Sequence, residues 1–378
     1  MRISTRSRRP ERRAKPRDRR GWDLARALGL GLVALASSLG LGIASARDRA
    51  APVAPAYLAP IADEAGRSEP ELLAAASPLP ARPPPRQPTA LTAAMKNHGW
   101  NKCMMPDPGF GPYTRWQNVA MGQMIMPARG GRTEDGGYDV VVHFHGHDAV
   151  RKALVEVARG VVLVGIDLGV GSGIYADALA RAETFTKLLA SVESRLKKTS
   201  GDPRAHIRHL ALSSWSAGYG AVVDVLRDHA DAIDAVVLLD SLHSGYVKGP
   251  PHDMRAIGGV WSGPLGPAIA YAKRAALSEK TMILTHSEIR PPGYASTGEV
   301  ADFLLGEVAG VRVPMQGTTP LGAELSTGAD LGGLRVRGYK GGDEQAHCAH
   351  TELLAEIVRD VLEPQWDTPV AERAAAPR

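Results

Sequence analysis

The 378-residue chain has two cysteines, four phenylalanines and only 5% aromatic residues. Two cysteines, Cys103 and Cys348, allow at most one disulfide, so no framework of several bridges can hold this protein. No internal repeat recurs along the chain, which removes solenoids and propellers from consideration. Positive charge is also missing where a nucleic-acid-binding surface would need it. Residues 1–46 hold eleven Arg/Lys against Glu11, Asp18 and Asp23, a formal +8, so the remaining residues carry −3 of the chain's net +5. The basic balance belongs to the leader, and no nucleic-acid partner is expected.

The leader has the layout of an export signal. A basic run from Arg2 to Arg20 precedes an apolar stretch, Leu24 to Ile43, broken only by Arg26, and Ala44-Ser45-Ala46 forms an A-x-A cleavage site. Arg19-Arg20-Gly21-Trp22 loosely resembles a twin-arginine signal without the residues that usually follow, and no cysteine stands at the cleavage site for a lipid anchor. The expectation is a signal peptide over 1–46 and an exported protein, periplasmic or secreted. Left uncleaved, the apolar stretch would instead anchor the chain to a membrane. Residues 47–97 are rich in Ala and Pro, with Pro83-Pro84-Pro85, and read as a flexible linker. A globular domain is expected over 98–367, opening on Trp100, Phe110, Tyr113 and Trp116 among Gly and Pro, with a disordered tail over 368–378. In an exported protein Cys103 and Cys348 can pair, tying the segment before the first strand to the region of His347; the alternative is two separate thiols.

Within the domain, apolar strands alternate with helical periodicity. Strands are expected at 140–144, 161–166, 207–212, 235–239, 281–285 and 334–339, and helices at 177–197, 217–228, 267–277, 299–309 and 351–362. Nearly continuous apolar strands separated by helices predict an α/β protein, a mostly parallel sheet with helices on both faces.

One segment carries the chemistry. Leu210 to Leu212 runs into Ser214-Trp215-Ser216-Ala217-Gly218, and a helix follows at once. This is strand, tight turn and helix with a serine at the tip, a variant of G-x-S-x-G with Ser214 in place of the first glycine. Upstream, Tyr138 to Phe144 reads as a buried strand ending in His145-Gly146. The elbow and the His-Gly loop resemble those of the α/β-hydrolase superfamily over roughly residues 135–365. The resemblance implies an α/β-hydrolase fold and a nucleophile, acid and base in that chain order, each just after a strand. Ser216 is then the nucleophile, and the backbone N–H groups of Ala217 and His147 form the oxyanion hole. His347, in a loop before the last helix, is the favoured base, with His350 as the alternative. Asp240, at the end of strand 235–239, is the favoured acid, with Glu288 after the next strand as the alternative. His243 and His286 are read as pocket or structural histidines, and Gly169 to Gly173 as a loop shaping the pocket rim. The implied activity is a serine hydrolase that needs no cofactor. It would cleave a carboxylic ester, or an amide, of a small molecule or polymer through an acyl-enzyme on Ser216.

Two other readings compete. His143, His145 and His147 alternate, so on an extended strand three imidazoles could converge on zinc and support a metal-dependent hydrolase. The string resembles the H-x-H-x-D-H signature of metallo-β-lactamase-like hydrolases, with its last Asp and His exchanged. The second alternative is a non-catalytic α/β domain that binds a glycan or peptide at the cell surface.

Overall fold

A computed structural model of the protein describes residues 103–247, 259–319 and 322–371. The expected signal peptide and linker lie outside these residues. Ten strands form one mixed sheet in the order β1-β2-β4-β3-β5-β6-β7-β10-β9-β8. The centre is parallel: β3 (Gly137–Phe144), β4 (Val162–Ile166), β5 (His206–Trp215), β6 (Ala235–Leu239), β7 (Thr281–His286) and β10 (Leu334–Tyr339). Antiparallel pairs extend it on both sides, β1 (Gln117–Val119) with β2 (Gly122–Ile125), and β8 (Val313–Thr318) with β9 (Glu324–Leu331).

The sequence pattern dictates this layering. All eight residues of β3 are buried, and successive side chains of a strand point to opposite faces. Val140, Val142 and Phe144 enter one core with Val164, Leu212 and Leu238; Val141 enters a second with Leu163, Ala211 and Val237. The first core is roofed by α2 (Ser172–Leu179), α3 (Ala182–Ser200), α4 (Tyr219–His229), α5 (Gly266–Ala276) and α6 (Thr297–Gly306). The second is covered by α1 (His147–Val157), α7 (Glu344–Ile357) and the short α8 (Glu363–Trp366). Helices on both faces of a largely parallel sheet are the expected class.

Several elements depart from expectation. The helix expected over 177–197 is two, broken where Arg181 turns extended. Side chains of α4 bond the backbone on both sides of the break: Arg227 donates to Ala180 O at 2.9 Å, and His229 bonds Ala182 O at 3.0 Å. The last helix begins at Glu344 rather than 351, because the Asp343 side chain caps it by accepting the Ala346 N–H at 2.9 Å. His347 and His350 therefore stand on the first turns of a helix, not in a loop. Part of the segment assigned to the tail is packed. Thr368 donates to buried Asp139 at 2.6 Å, and Gly131 N–H bonds Val370 O at 3.2 Å.

Cys103 and Cys348 form the disulfide, with Cα atoms 4.9 Å apart and 245 residues between them in sequence. It fastens the lead-in to α7 one residue past His347. A second clamp on the lead-in is Arg151, 1% exposed, which donates to Asp107 at 2.8 Å and Gly109 O at 2.5 Å beneath the Phe110 ring. Closing so long a loop restricts the unfolded chain strongly, so Cys103→Ser is expected to lower unfolding stability by about 2–5 kcal/mol. Urea denaturation checks this; unchanged midpoints for the variant and for reduced wild type would refute it.

Candidate active site

The site is assembled where β3, β5, β6 and β7 end on the same edge of the sheet. Three of those ends carry non-glycine residues in the left-handed region: His145 (φ 72), Ser216 (φ 49) and Asp240 (φ 41). Such backbone costs on the order of 1 kcal/mol or more each and persists only where the surroundings enforce it. At the elbow the enforcement is visible. A Cβ on Gly218 would lie 2.2 Å from Phe144 O, so only glycine lets the turn pack against the end of β3. Ser214, which replaces the first motif glycine, is fully buried and shares a 2.8 Å hydrogen bond with the Ser241 hydroxyl. Ser241 in turn donates to Ser216 O at 2.8 Å. The substituted serine thus belongs to a latch that pins the elbow to the end of β6. The sequence offered no sign of Ser241.

Asp240 is 2% exposed, and both its oxygens are used. Oδ1 accepts the Ser287 N–H at 2.9 Å and the Thr297 hydroxyl at 2.5 Å; Oδ2 meets His347 Nδ1 at 2.7 Å. Burial works to raise this carboxyl, but the His347 hydrogen bond, the nearby charges of His350 and His347, and the Thr297 hydroxyl outweigh it. They hold the group well below the usual carboxylate range. An ionised carboxylate can only accept, so this short contact calls for an N–H at Nδ1 of His347. The imidazole sits beside the elbow. Trp215, the residue before Ser216, donates its indole N–H to His347 O at 3.0 Å, and the two rings are 4.7 Å apart.

Glu288 and His350, the other candidates for acid and base, have different surroundings. Glu288 is exposed and knits two loops together, its N–H donating to Gly341 O at 2.9 Å and its carboxylate accepting the Gly341 N–H at 3.0 Å. His350 is 1% exposed, shares a 2.7 Å hydrogen bond with Thr285 and packs edge-on against Tyr339.

The His145–His147 loop faces the elbow from β3. The His145 ring stacks on Trp215 at 5.2 Å, and a Cβ on Gly146 would strike the same indole at 2.7 Å. Gly146 N–H is spent on Asp167 at 3.2 Å. Asp167 also accepts the Tyr175 hydroxyl at 3.0 Å, while Tyr175 bonds His145 Nδ1 at 2.9 Å. The His145 and Tyr175 hydrogen bonds keep the Asp167 carboxyl well below its ordinary range against its partial burial. With Gly146 so committed, the next main-chain donor is the N–H of His147, which opens α1 and has no intrahelical acceptor. Ala217 N–H follows the serine in the same way at the start of the elbow helix.

The alternating histidines do not form one ligand set. His143 is buried on β3, with Nδ1 on Ser213 at 3.0 Å and Nε2 on His145 O at 2.8 Å, and burial pushes its imidazole down to about 3. The left-handed turn at His145 ends the strand alternation, so its ring goes to Tyr175 and Trp215, while the His147 ring packs against Trp116. Among the described residues, the one cluster of metal-ligating type within 4.8 Å is Cys103, Glu344 and Cys348, and its sulfurs are joined to each other. His286 bonds Ser287 O and receives Arg312, a structural placement. His243 packs between Tyr219 and Tyr294 beside the site.

No family model and no curated protein matches the sequence. Among solved structures, the chain is similar to the enterobactin esterase of Shigella flexneri, at 12% identity and TM-score 0.41 over 69% of this chain and 62% of that one. It is also similar to Est1E of Butyrivibrio proteoclasticus, at 13% identity and TM-score 0.34 over 68% and 100%. A third is the siderophore hydrolase EstB of Aspergillus nidulans, at 12% identity and TM-score 0.36 over 68% and 97%. The match spans less than two thirds of the Shigella protein's length. From its own strand order, its elbow after β5 and the two-faced helical cover, this chain has the α/β-hydrolase fold.

Proposed function

We propose that this protein is an exported serine hydrolase acting on a carboxylic ester, with Ser216 as nucleophile, His347 as base and Asp240 as the orienting acid. The observation that carries the reading is the 2.7 Å Asp240–His347 pair seated beside a serine held at φ 49. A serine hydroxyl is a poor nucleophile until a base removes its proton. Here His347 Nε2 takes that proton as Oγ bonds the carbonyl carbon, and the resulting oxyanion is met by the N–H groups of Ala217 and His147. The imidazolium, stabilised by ionised Asp240, then protonates the leaving alcohol oxygen as its bond to carbon breaks. Water repeats the sequence on the acyl-enzyme and releases the acid. No cofactor enters these steps. An amide is the second substrate class, since the same chemistry reaches it with a poorer leaving group. Export rests on the basic run, apolar stretch and A-x-A site of residues 1–46.

The assignment of acid and base is open to a direct comparison. Asp240→Asn and His347→Ala are each expected to lower kcat for a chromogenic ester about 10³–10⁴-fold, whereas Glu288→Gln stays within about threefold of wild type. A large loss in Glu288→Gln with Asp240→Asn active would reverse the assignment.

The depressed Asp240 carboxyl also has a signature in stability. Its folded value lies below its unfolded one, so ionised Asp240 contributes stability above about pH 4, and that contribution is lost as pH falls toward the folded value. The stability of wild type relative to Asp240→Asn should therefore rise between about pH 2 and pH 6. A difference independent of pH, measured by urea unfolding, would show that the carboxyl is not held ionised.

A further inference from the structure

Beside the site runs a cleft of about 400 Å³ whose floor is the outer face of α4. Tyr219, Val223 and Arg227 lie at helical spacings of four along that face, and Ser216 stands one turn before Tyr219. The strip extends about 12 Å from Tyr219, three residues past Ser216, to Arg227. One wall is the start of α2, where Ser172 O lies so near Gly220 that a Cβ there would approach to 2.3 Å. The opposite wall is Gly263 to Leu265. At the inner end His243, three residues past Asp240, packs edge-on against Tyr219 and Tyr294, and its Nδ1 bonds Ala295 O at 3.2 Å. Burial pushes this imidazole below its ordinary value.

The lining is mostly small or apolar, and its far end offers no free charge. The Arg227 guanidinium is committed to Asp224 at 2.5 Å, to Asp228 at 3.1 Å and to Ala180 O at 2.9 Å. An independent observation concerns the rim. Among the exposed large apolar side chains, Ile174 stands on α2 between the lining residues Gly173 and Ala176, Trp261 lies against Gly263 and Tyr294 packs on His243; apolar side chains collected beside one opening suit a binding surface. Trp261 is fixed there by its N–H to Gly245 O at 2.9 Å, with its indole against Gly263.

We propose that the cleft seats an elongated, uncharged apolar arm of the ester, so that the preferred substrates carry a medium-length aliphatic chain rather than a minimal acetyl or methyl group. This rests on the serine-hydrolase reading above. The arm could belong to either side of the ester bond, so two substrate series separate the sources. One is p-nitrophenyl esters from acetyl to decanoyl, the other acetates of alcohols from methyl to decyl, each below its solubility limit. In wild type, kcat/KM is expected to rise about tenfold or more along one series, since each methylene removed from water adds to binding. Val223→Trp, which fills the floor, should abolish that rise while leaving the shortest ester within about twofold of wild type. Trp261→Ala, at the exposed rim, should lower the long-to-short ratio severalfold, and stands in if the first variant does not fold. A flat wild-type profile in both series, or a rise that survives both variants, overturns the proposal. Fluorophosphonate labelling of the same wild-type sample keeps the two readings apart. Labelling with flat profiles defeats the cleft alone, whereas no labelling and no ester hydrolysis defeats the serine reading and the cleft with it.

Discussion

The hydrogen bond between Asp240 and His347 is the interaction on which the rest of this site depends. It joins the end of β6 to the first turn of α7, two elements 107 residues apart in sequence. A buried carboxylate is costly unless its charge is compensated. Here Ser287 N–H, the Thr297 hydroxyl and the imidazole share it. Those three partners come from the loop after β7, the start of α6 and α7, so a single carboxylate organises three separate segments around the His347 imidazole.

The sheet makes this placement repeatable. Parallel neighbours in fixed register bring Phe144 beside Ser214 and Trp215 beside Leu239, so the turns that follow are side by side. Each turn leaves its strand through a left-handed residue, and each is restrained by a neighbour. Asp167 and Tyr175 hold the His145 loop, the Ser214–Ser241 latch holds the elbow, and the Thr285 carbonyl accepts the Asp240 N–H at 3.0 Å. The lead-in adds a covalent restraint through Cys103–Cys348, and the Trp215 indole bonds the backbone of His347 from the other side.

Much of this was legible in the sequence, for identifiable reasons. Buried parallel strands leave continuous apolar runs, so β6 and β10 have the bounds expected of them, and the elbow is a local motif with its small residues at fixed offsets. The antiparallel edges were not legible. β8, Val-Pro-Met-Gln-Gly-Thr, is mostly exposed and alternates no apolar face, so nothing in it distinguishes a strand from a loop. α1 has no counterpart among the expected helices, although Val150, Ala153 and Leu154 carry the helical spacing. The alternation of histidines is real only as far as Phe144; His145 turns left-handed and sends the next imidazoles to different partners. The last helix started seven residues early because one Asp343 cap decides it. Partners that act through tertiary contact, such as Ser241, Thr297 and Asp167, have no local signature at all. The Cys103–Cys348 pairing could be named, since only one pair was possible, but its position against His347 needed the fold.

The central claim is that Ser216 is an activated nucleophile. Intact-mass spectrometry of the full chain after exposure to a fluorophosphonate, with Ser216→Ala alongside, tests it most directly. The account predicts one covalent adduct on the wild type, located on Ser216, and none on the variant. An unmodified wild type, or equal labelling of both proteins, would contradict it.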